Sequence, residues 1–322
     1  MQATKRDGPR WSQPFLSISL QAVRVIELFA GIGGLSAACP WLDVVLAIDI
    51  DRDARSVYEA NFASPFAIRE LASIPNSLLR EANAELWWMS PPCTPFTRKG
   101  NQEDHHDPRT EAFFHLIDLA TEILPRFLVI ENVVGFENST TFGKAQQSLI
   151  EAGYAIQTMQ RCPSSLNWPN KRPRIYSLAC LDNTSISNPV STSFQTADYP
   201  KVALKELLDP NVQPDRNPEL WLDPVLANRY LNALDRINPE DPDAISACFT
   251  SSYGHSMTRS GSYLWQADGW RRFSPREVAN LLGFPKEFRL PSHLSNQRLW
   301  ELLGNSLSIP VVAPLMQFTR YT

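Results

Sequence analysis

Three short stretches carry side chains suited to covalent chemistry: Pro91, Pro92 and Cys93; Glu131 with Asn132; and Arg172 with Arg174 either side of Pro173. A thiolate adds to electron-poor carbon, a carboxyl group gives or takes a proton, and guanidinium groups favour the ionised form of a nearby thiol. A free thiol with a pKa of about 8.5 is only a few per cent ionised at neutral pH, so such neighbours matter. Prolines fix the backbone and remove donors, so the run Leu86 to Met89 cannot continue as a strand through Pro91 and Pro92. Cys93 is therefore presented from a stiffened loop. The bland alternatives are a small buried cysteine in a turn, a capped strand end at Glu131, and surface or salt-bridged arginines.

These residues need elements to hold them. VRVIELF, Val23 to Phe29, is an apolar run followed by AGIGG, Ala30 to Gly34, and a short helical stretch to Ala38. VVLAI, Val44 to Ile48, then ends in Asp49, and Asp53 to Asn61 has helical character. Strand, glycine turn, helix, strand and acid in that order open a doubly wound α/β sheet. LWWM, Leu86 to Met89, and FLVI, Phe127 to Ile130, are later buried strands, and Tyr154 to Met159 and Arg174 to Leu181 are further candidates. Asp107 and Pro108 open a helix whose apolar stripe, Phe113, Leu116, Ile117, Ala120 and Leu124, ends at Pro125. Another helix is expected over Lys144 to Ala152, one over Phe273 to Leu282, and one from Ser308 onward. In an open sheet of this kind ligands sit beyond the carboxyl ends of the strands. Phe29, Asp49, Cys93 and Glu131 should therefore line one crevice. A glycine turn with Asp49 placed to accept ribose hydroxyls indicates an adenosine-containing cofactor, without separating NAD from S-adenosylmethionine.

The chain has 322 residues, of which 43% are hydrophobic and 20% charged, so it can bury a large core and has the balance of a globular protein. No run reaches the roughly 18 apolar residues a membrane span requires, and a cytoplasmic protein is expected. The five cysteines are scattered without a C-x-x-C pair, which argues against a disulfide framework and a zinc knuckle. His105 and His106 lack a distant third partner of suitable spacing, so no metal is expected. The net charge of −4 excludes a uniformly basic coat, but from His255 to Arg298 seven basic residues face three acidic ones. A locally basic face remains compatible with a polyanionic substrate.

Taken together the motifs resemble the cytosine-5 methyltransferase family: FAGIG from Phe29, PPC ending at Cys93, ENV from Glu131, NKRPR from Asn170 to Arg174, and GNS from Gly304, in the family's order. The resemblance implies a Rossmann-like class I S-adenosylmethionine-dependent methyltransferase domain. It divides the chain into a tail over 1–21, a catalytic domain over 22–181, a small target-recognition domain over 182–270, and a segment over 271–322 that completes the catalytic domain. It implies Cys93 as nucleophile, Glu131 as the group at the ring nitrogen, and Arg172 and Arg174 beside them. Cofactor contacts are implied at Phe29, Gly31, Ile32, Gly33, Asp49, Ile50, Glu70, Pro91, Asn305 and Ser306.

Within the family, PPCTPFTRKG with CFT from Cys248 and GSYL from Gly261 is similar to the DNA methyltransferase 2 branch, which methylates position 38 of tRNA for aspartate or a related acceptor. The partner so implied is tRNA, with duplex DNA as the alternative and an inactive nucleic-acid-binding homologue as a further one. Substrate contacts are expected from Thr97, Arg98, Cys248, Phe249, Thr250 and Arg271, although packing alone also explains Cys248. Two departures stand out: Thr94 where glutamine is usual, and a blurred adenine-side pair at Arg69, Glu70 and Leu71. Nothing in the sequence demands a dimer, and a monomer is expected.

Overall fold

Seven strands build the main sheet: β1 (Arg24–Leu28), β2 (Asp43–Asp49), β3 (Phe66–Ile68), β4 (Leu86–Met89), β5 (Phe127–Val133), β6 (Ala155–Arg161) and β7 (Arg174–Cys180). The computed structural model describes residues 22–92, 108–181, 199–213, 217–266 and 269–320. The strand order is β3-β2-β1-β4-β5-β7-β6. The first five strands run parallel, and β7 pairs antiparallel with both β5 and β6. β1, β4 and β5 are buried on both faces, which is why they read as continuous apolar runs rather than alternating ones. Alternation still divides the side chains: Trp88 and Val129 enter the core on one face, and Trp87, Met89, Leu128 and Ile130 the core on the other.

Helices α1 (Gly34–Ala38), α2 (Arg52–Asn61), α3 (Asn76–Ala82), α4 (Pro108–Ile123) and α5 (Thr140–Glu151) connect these strands. The stripe expected on α4 is buried at Phe113, Leu116, Ile117 and Ala120. The helix gives way to Leu124 with φ 58 just before Pro125. α5 begins a turn earlier than expected, because the Ser139 hydroxyl accepts from the Phe142 N–H at 3.0 Å and caps it. β3 and α3 were not foreseen: β3 has three half-buried residues, too few to show a period.

A second sheet of three strands, β8 (Asp235–Ile237), β9 (Ser262–Gln266) and β10 (Gly269–Arg272), follows helix α6 (Pro224–Arg229). β10 continues past residue 270, where the sequence suggested a boundary. Helices α7 (Pro275–Leu281), α8 (Asn296–Gly304) and α9 (Ile309–Leu315) close the chain. Ser274 and Glu277 form a reciprocal cap on α7. The apolar run 296–320 is largely buried inside the fold. There α9 packs on α1, and a Cβ at Gly34 would meet Leu307 at 2.9 Å.

Candidate active site

The carboxyl ends of β2, β1, β4 and β5 lie side by side and are stitched together beyond their last ladder bonds. Ala30 N–H donates to the Ile48 carbonyl at 3.0 Å, and Ser90 N–H to the Leu28 carbonyl at 3.4 Å. The Asn132 amide donates to the Pro91 carbonyl at 3.1 Å. That last bond anchors the stem of the proline loop to the strand end carrying Glu131. Cys93, Thr97 and Arg98 lie outside the described residues.

At the β1 end the chain turns sharply. Phe29 has φ 56, a left-handed conformation that costs a bulky residue about 1–3 kcal/mol and is held here by the surrounding ladder. Gly31 follows with φ 53, and a Cβ there would meet nothing within 4 Å, so this backbone faces open space. Its N–H donates to Asp49 Oδ2 at 2.8 Å, while Asp49 Oδ1 accepts from Asp51 N–H at 3.0 Å. Burial pushes the Asp49 carboxyl up from its ordinary value, with these backbone donors opposing it. Each carboxylate oxygen keeps lone-pair capacity for a further donor such as a ribose hydroxyl. Beside it Ile50 is 60% exposed, an apolar surface available to a flat ring, and exposed Glu70 follows the end of β3. Gly33 precedes α1 with φ 84. Ile32 points into the core at 2% exposure, so only its backbone is available to a ligand. An open glycine turn, a ribose-side acid and an exposed apolar side chain together fit an adenosine-containing cofactor.

On the other side, Glu131 is buried at the end of β5, with Oε1 3.3 Å from Arg174 Nε on the paired strand β7. Burial raises the Glu131 carboxyl above its ordinary pKa, and Arg174, Arg172 and a hydrogen bond from Ser90 only partly counter that. Arg172 is buried and donates to the carbonyls of Phe249 at 3.0 Å and Gly304 at 3.0 Å, and to that of Ser306. It thereby joins three segments distant in sequence. The Cys248 thiol lies 3.4 Å from Arg172 Nη1 and 3.9 Å from Arg174 Nη2. Burial pushes that thiol up, but the two guanidinium groups outweigh it and leave its pKa below the ordinary value.

The remaining expected residues are distributed unevenly. Phe249 is buried in edge-on contact with Tyr253 and Phe273, so its side chain is packing and its carbonyl serves Arg172. Thr250 is half-buried, with its N–H on the Ser260 carbonyl at 2.9 Å. Asn305 is exposed at the end of α8, followed by buried Ser306. Arg271 requires a correction. It is 1% exposed and makes two 2.8 Å bonds to Glu277, so it is a buried structural ion pair and cannot reach a substrate.

Sequence reasoning passed over Glu27, which is 1% exposed in β1 and accepts from Ser36 Oγ at 2.8 Å and Leu35 N–H at 3.2 Å. An acid inside the apolar run VRVIELF was the available signal. It also missed why glycine opens GNS: a Cβ on Gly304 would lie 2.2 Å from the Thr250 backbone carbon.

This strand order and this crevice define a class I methyltransferase fold. The family model described as C-5 cytosine-specific DNA methylase matches residues 23–232 and 228–317, and the chain belongs to that enzyme family. A tRNA (cytosine(38)-C(5))-methyltransferase from Schizosaccharomyces pombe is 31% identical over 93% of this chain and 97% of its own length. The human protein of the same name is 28% identical over 92% of this chain and 99% of its own. The crystal structure of the S. pombe Dnmt2 methyltransferase superposes with a TM-score of 0.83 at 29% identity, covering 93% of this chain and 98% of that one.

Proposed function

We propose that this chain transfers a methyl group from S-adenosyl-L-methionine to carbon 5 of cytosine in tRNA, at position 38 of the anticodon loop of tRNA-Asp or a related acceptor. The observation that carries the chemistry is the buried Glu131 paired with Arg174, bonded through Asn132 to the stem of the loop that bears Cys93. The choice of tRNA is supported by relatives named for that reaction along nearly their whole length.

Carbon 5 of cytosine is a weak nucleophile. In the proposed sequence the Cys93 thiolate forms a bond to carbon 6, the displaced π electrons build on carbon 5 and the ring nitrogen, and Glu131 supplies a proton at that nitrogen. Burial raises the Glu131 pKa, a shift in the direction that favours the protonated carboxyl. Phe29, Gly31, Asp49 and Ile50 would hold S-adenosylmethionine, which when bound supplies an electrophilic methyl group. Carbon 5 would take the methyl with S-adenosylhomocysteine as the leaving group. A base then removes the carbon 5 proton, those electrons re-form the carbon 5–carbon 6 double bond as the sulfur–carbon 6 bond breaks to return the thiolate, and the ring nitrogen gives its proton back to Glu131. Arg174 holds the Glu131 carboxyl in place throughout, and Arg172 fixes the segment behind it. The target base must leave its stack to enter the crevice, a smaller cost in a loop than in a duplex.

Labelled methyl transfer to tRNA and to duplex DNA, each with a Cys93→Ala control, tests this. Incorporation into tRNA at a single mapped cytosine, lost in the variant, is the expected result. The family model is described by DNA, so incorporation into duplex DNA alone would replace tRNA as the substrate.

A further inference from the structure

One face of the three-stranded sheet carries an aromatic group that the methyl-transfer chemistry leaves unused. In the antiparallel β9–β10 pair, Trp265 stands opposite Trp270, and Tyr263 opposite Arg272. The two indoles meet edge-on, with centroids 4.9 Å apart at 85°. Trp265 is 49% exposed, which is unusual for the largest apolar side chain in a sheet. Arg236 on β8 places its guanidinium 5.6 Å from the Trp270 ring centre. Gln266 and Asn238 stand at the edge of the same cavity, of about 730 Å³. Among the described residues lining it, Glu240 is the acidic one, with its carboxylate 3.7 Å from Lys205 Nζ, and Arg236 is the basic one.

A ligand that matches this face needs a flat ring for the indoles, polar edges for Gln266 and Asn238, and negative charge for Arg236. An unpaired nucleotide meets all three requirements. The face is also tied to the active site. Tyr263 packs on Tyr253 at 5.7 Å, Tyr253 packs on Phe249 at 4.9 Å, and the Phe249 carbonyl accepts from Arg172.

We propose that Trp265, Trp270 and Arg236 form a second RNA-binding site, which stacks an unpaired nucleotide of the substrate other than the target cytosine. The proposal rests on the reading of tRNA as substrate. Trp265 stacks the base, Trp270 backs it, and Arg236 holds the adjoining phosphate. The site raises affinity for a folded RNA without touching the reacting atoms.

The test compares wild type with Trp265→Ala, Trp265→Phe and Arg236→Gln in the full chain. Filter binding of unmodified tRNA transcript and steady-state methylation kinetics are read alongside S-adenosylhomocysteine affinity and thermal melting as controls of folding. Loss of one stacked base weakens binding by about 5- to 150-fold. For Trp265→Ala the tRNA Kd and KM are expected to rise within that range, with kcat and cofactor affinity unchanged. Trp265→Phe is expected to stay within about threefold of wild type, because it keeps an aromatic face. Arg236→Gln is expected to weaken tRNA binding with a shallower salt dependence. Unchanged tRNA binding in Trp265→Ala overturns the proposal, as does a change in sedimentation that makes the face a contact between copies of this chain. Wild type that fails to methylate tRNA counts against the substrate reading alone. In that case, quenching of wild-type but not Trp265→Phe/Trp270→Phe fluorescence by single-stranded RNA still supports the site, and no quenching removes it.

Discussion

At Glu131 burial favours the protonated carboxyl while Arg174 and Arg172 favour the ionised one. Burial wins that contest: the carboxyl sits at the end of a central strand, and its pKa lies above the ordinary value despite Arg174 at 3.3 Å. Glu131→Gln keeps the shape and an acceptor for Arg174 but has no proton to give. Under the proposed mechanism, single-turnover methyl transfer at saturating tRNA is expected to fall by about 10²- to 10⁴-fold, with binding little changed. The two guanidiniums also act on a thiol, and among the described residues it is Cys248 that they touch. The tripeptide Cys248 to Thr250 thus contributes a sulfur and a carbonyl to the arginine pair, while the Phe249 ring is turned into the core.

At the scale of elements, the β1–α1 turn combines strain with a buried acid. Phe29 and Gly31 take left-handed backbone to face the crevice, and Glu27, one turn of packing behind them, ties α1 back to β1 through Leu35 and Ser36. Burial raises the Glu27 pKa from 4.5 to about 7. Between these values the folded chain holds a proton that the unfolded chain releases, so the Glu27 contribution to stability is full below pH 4.5 and is lost as pH rises to 7. The loss amounts to about 3 kcal/mol at 1.36 kcal/mol per pH unit. Glu27→Gln removes the titration and can still hydrogen-bond. Its thermal midpoint is expected to fall less than that of wild type between pH 5 and pH 8, read by circular dichroism. An equal fall in both proteins would show that Glu27 does not titrate there.

The whole molecule is held by charged side chains that span its segments. Arg172 reaches the carbonyls of residues 249, 304 and 306, and Arg298 on α8 pairs with Asp51 and Asp53 at the start of α2. Arg271 joins β10 to the cap of α7 through Glu277, whose side chain is fully buried. Arg271→Ala leaves that carboxylate without its cation, and a loss of about 3–5 kcal/mol is expected in urea unfolding. The pair exchange Arg271→Met with Glu277→Leu is expected to lose less, because no buried charge remains alone. Arg271 also shows the limit of reading charge from sequence: a local excess of basic residues suggested a surface for nucleic acid, and this member of it is in the core.

The sequence alone determined the central strands of the main sheet but not β3, because strands buried on both faces leave unbroken apolar runs and their ends are marked by glycine, acid or proline. It also offered candidate reacting groups, since the thiol, the carboxyl and the arginine pair each sit in a motif with its own chemistry. Tertiary structure decided how the carboxyl and the arginine pair are arranged. The partners of Arg172 lie up to 134 residues away, and no local period encodes such a bond. The same holds for the three-stranded sheet: β8 has three residues, and it pairs with β9 across a stretch of turns, so neither length nor alternation announced it. Burial, the quantity that raises Glu27 and Glu131 and turns Arg271 inward, is a property of the packed chain and not of any segment within it.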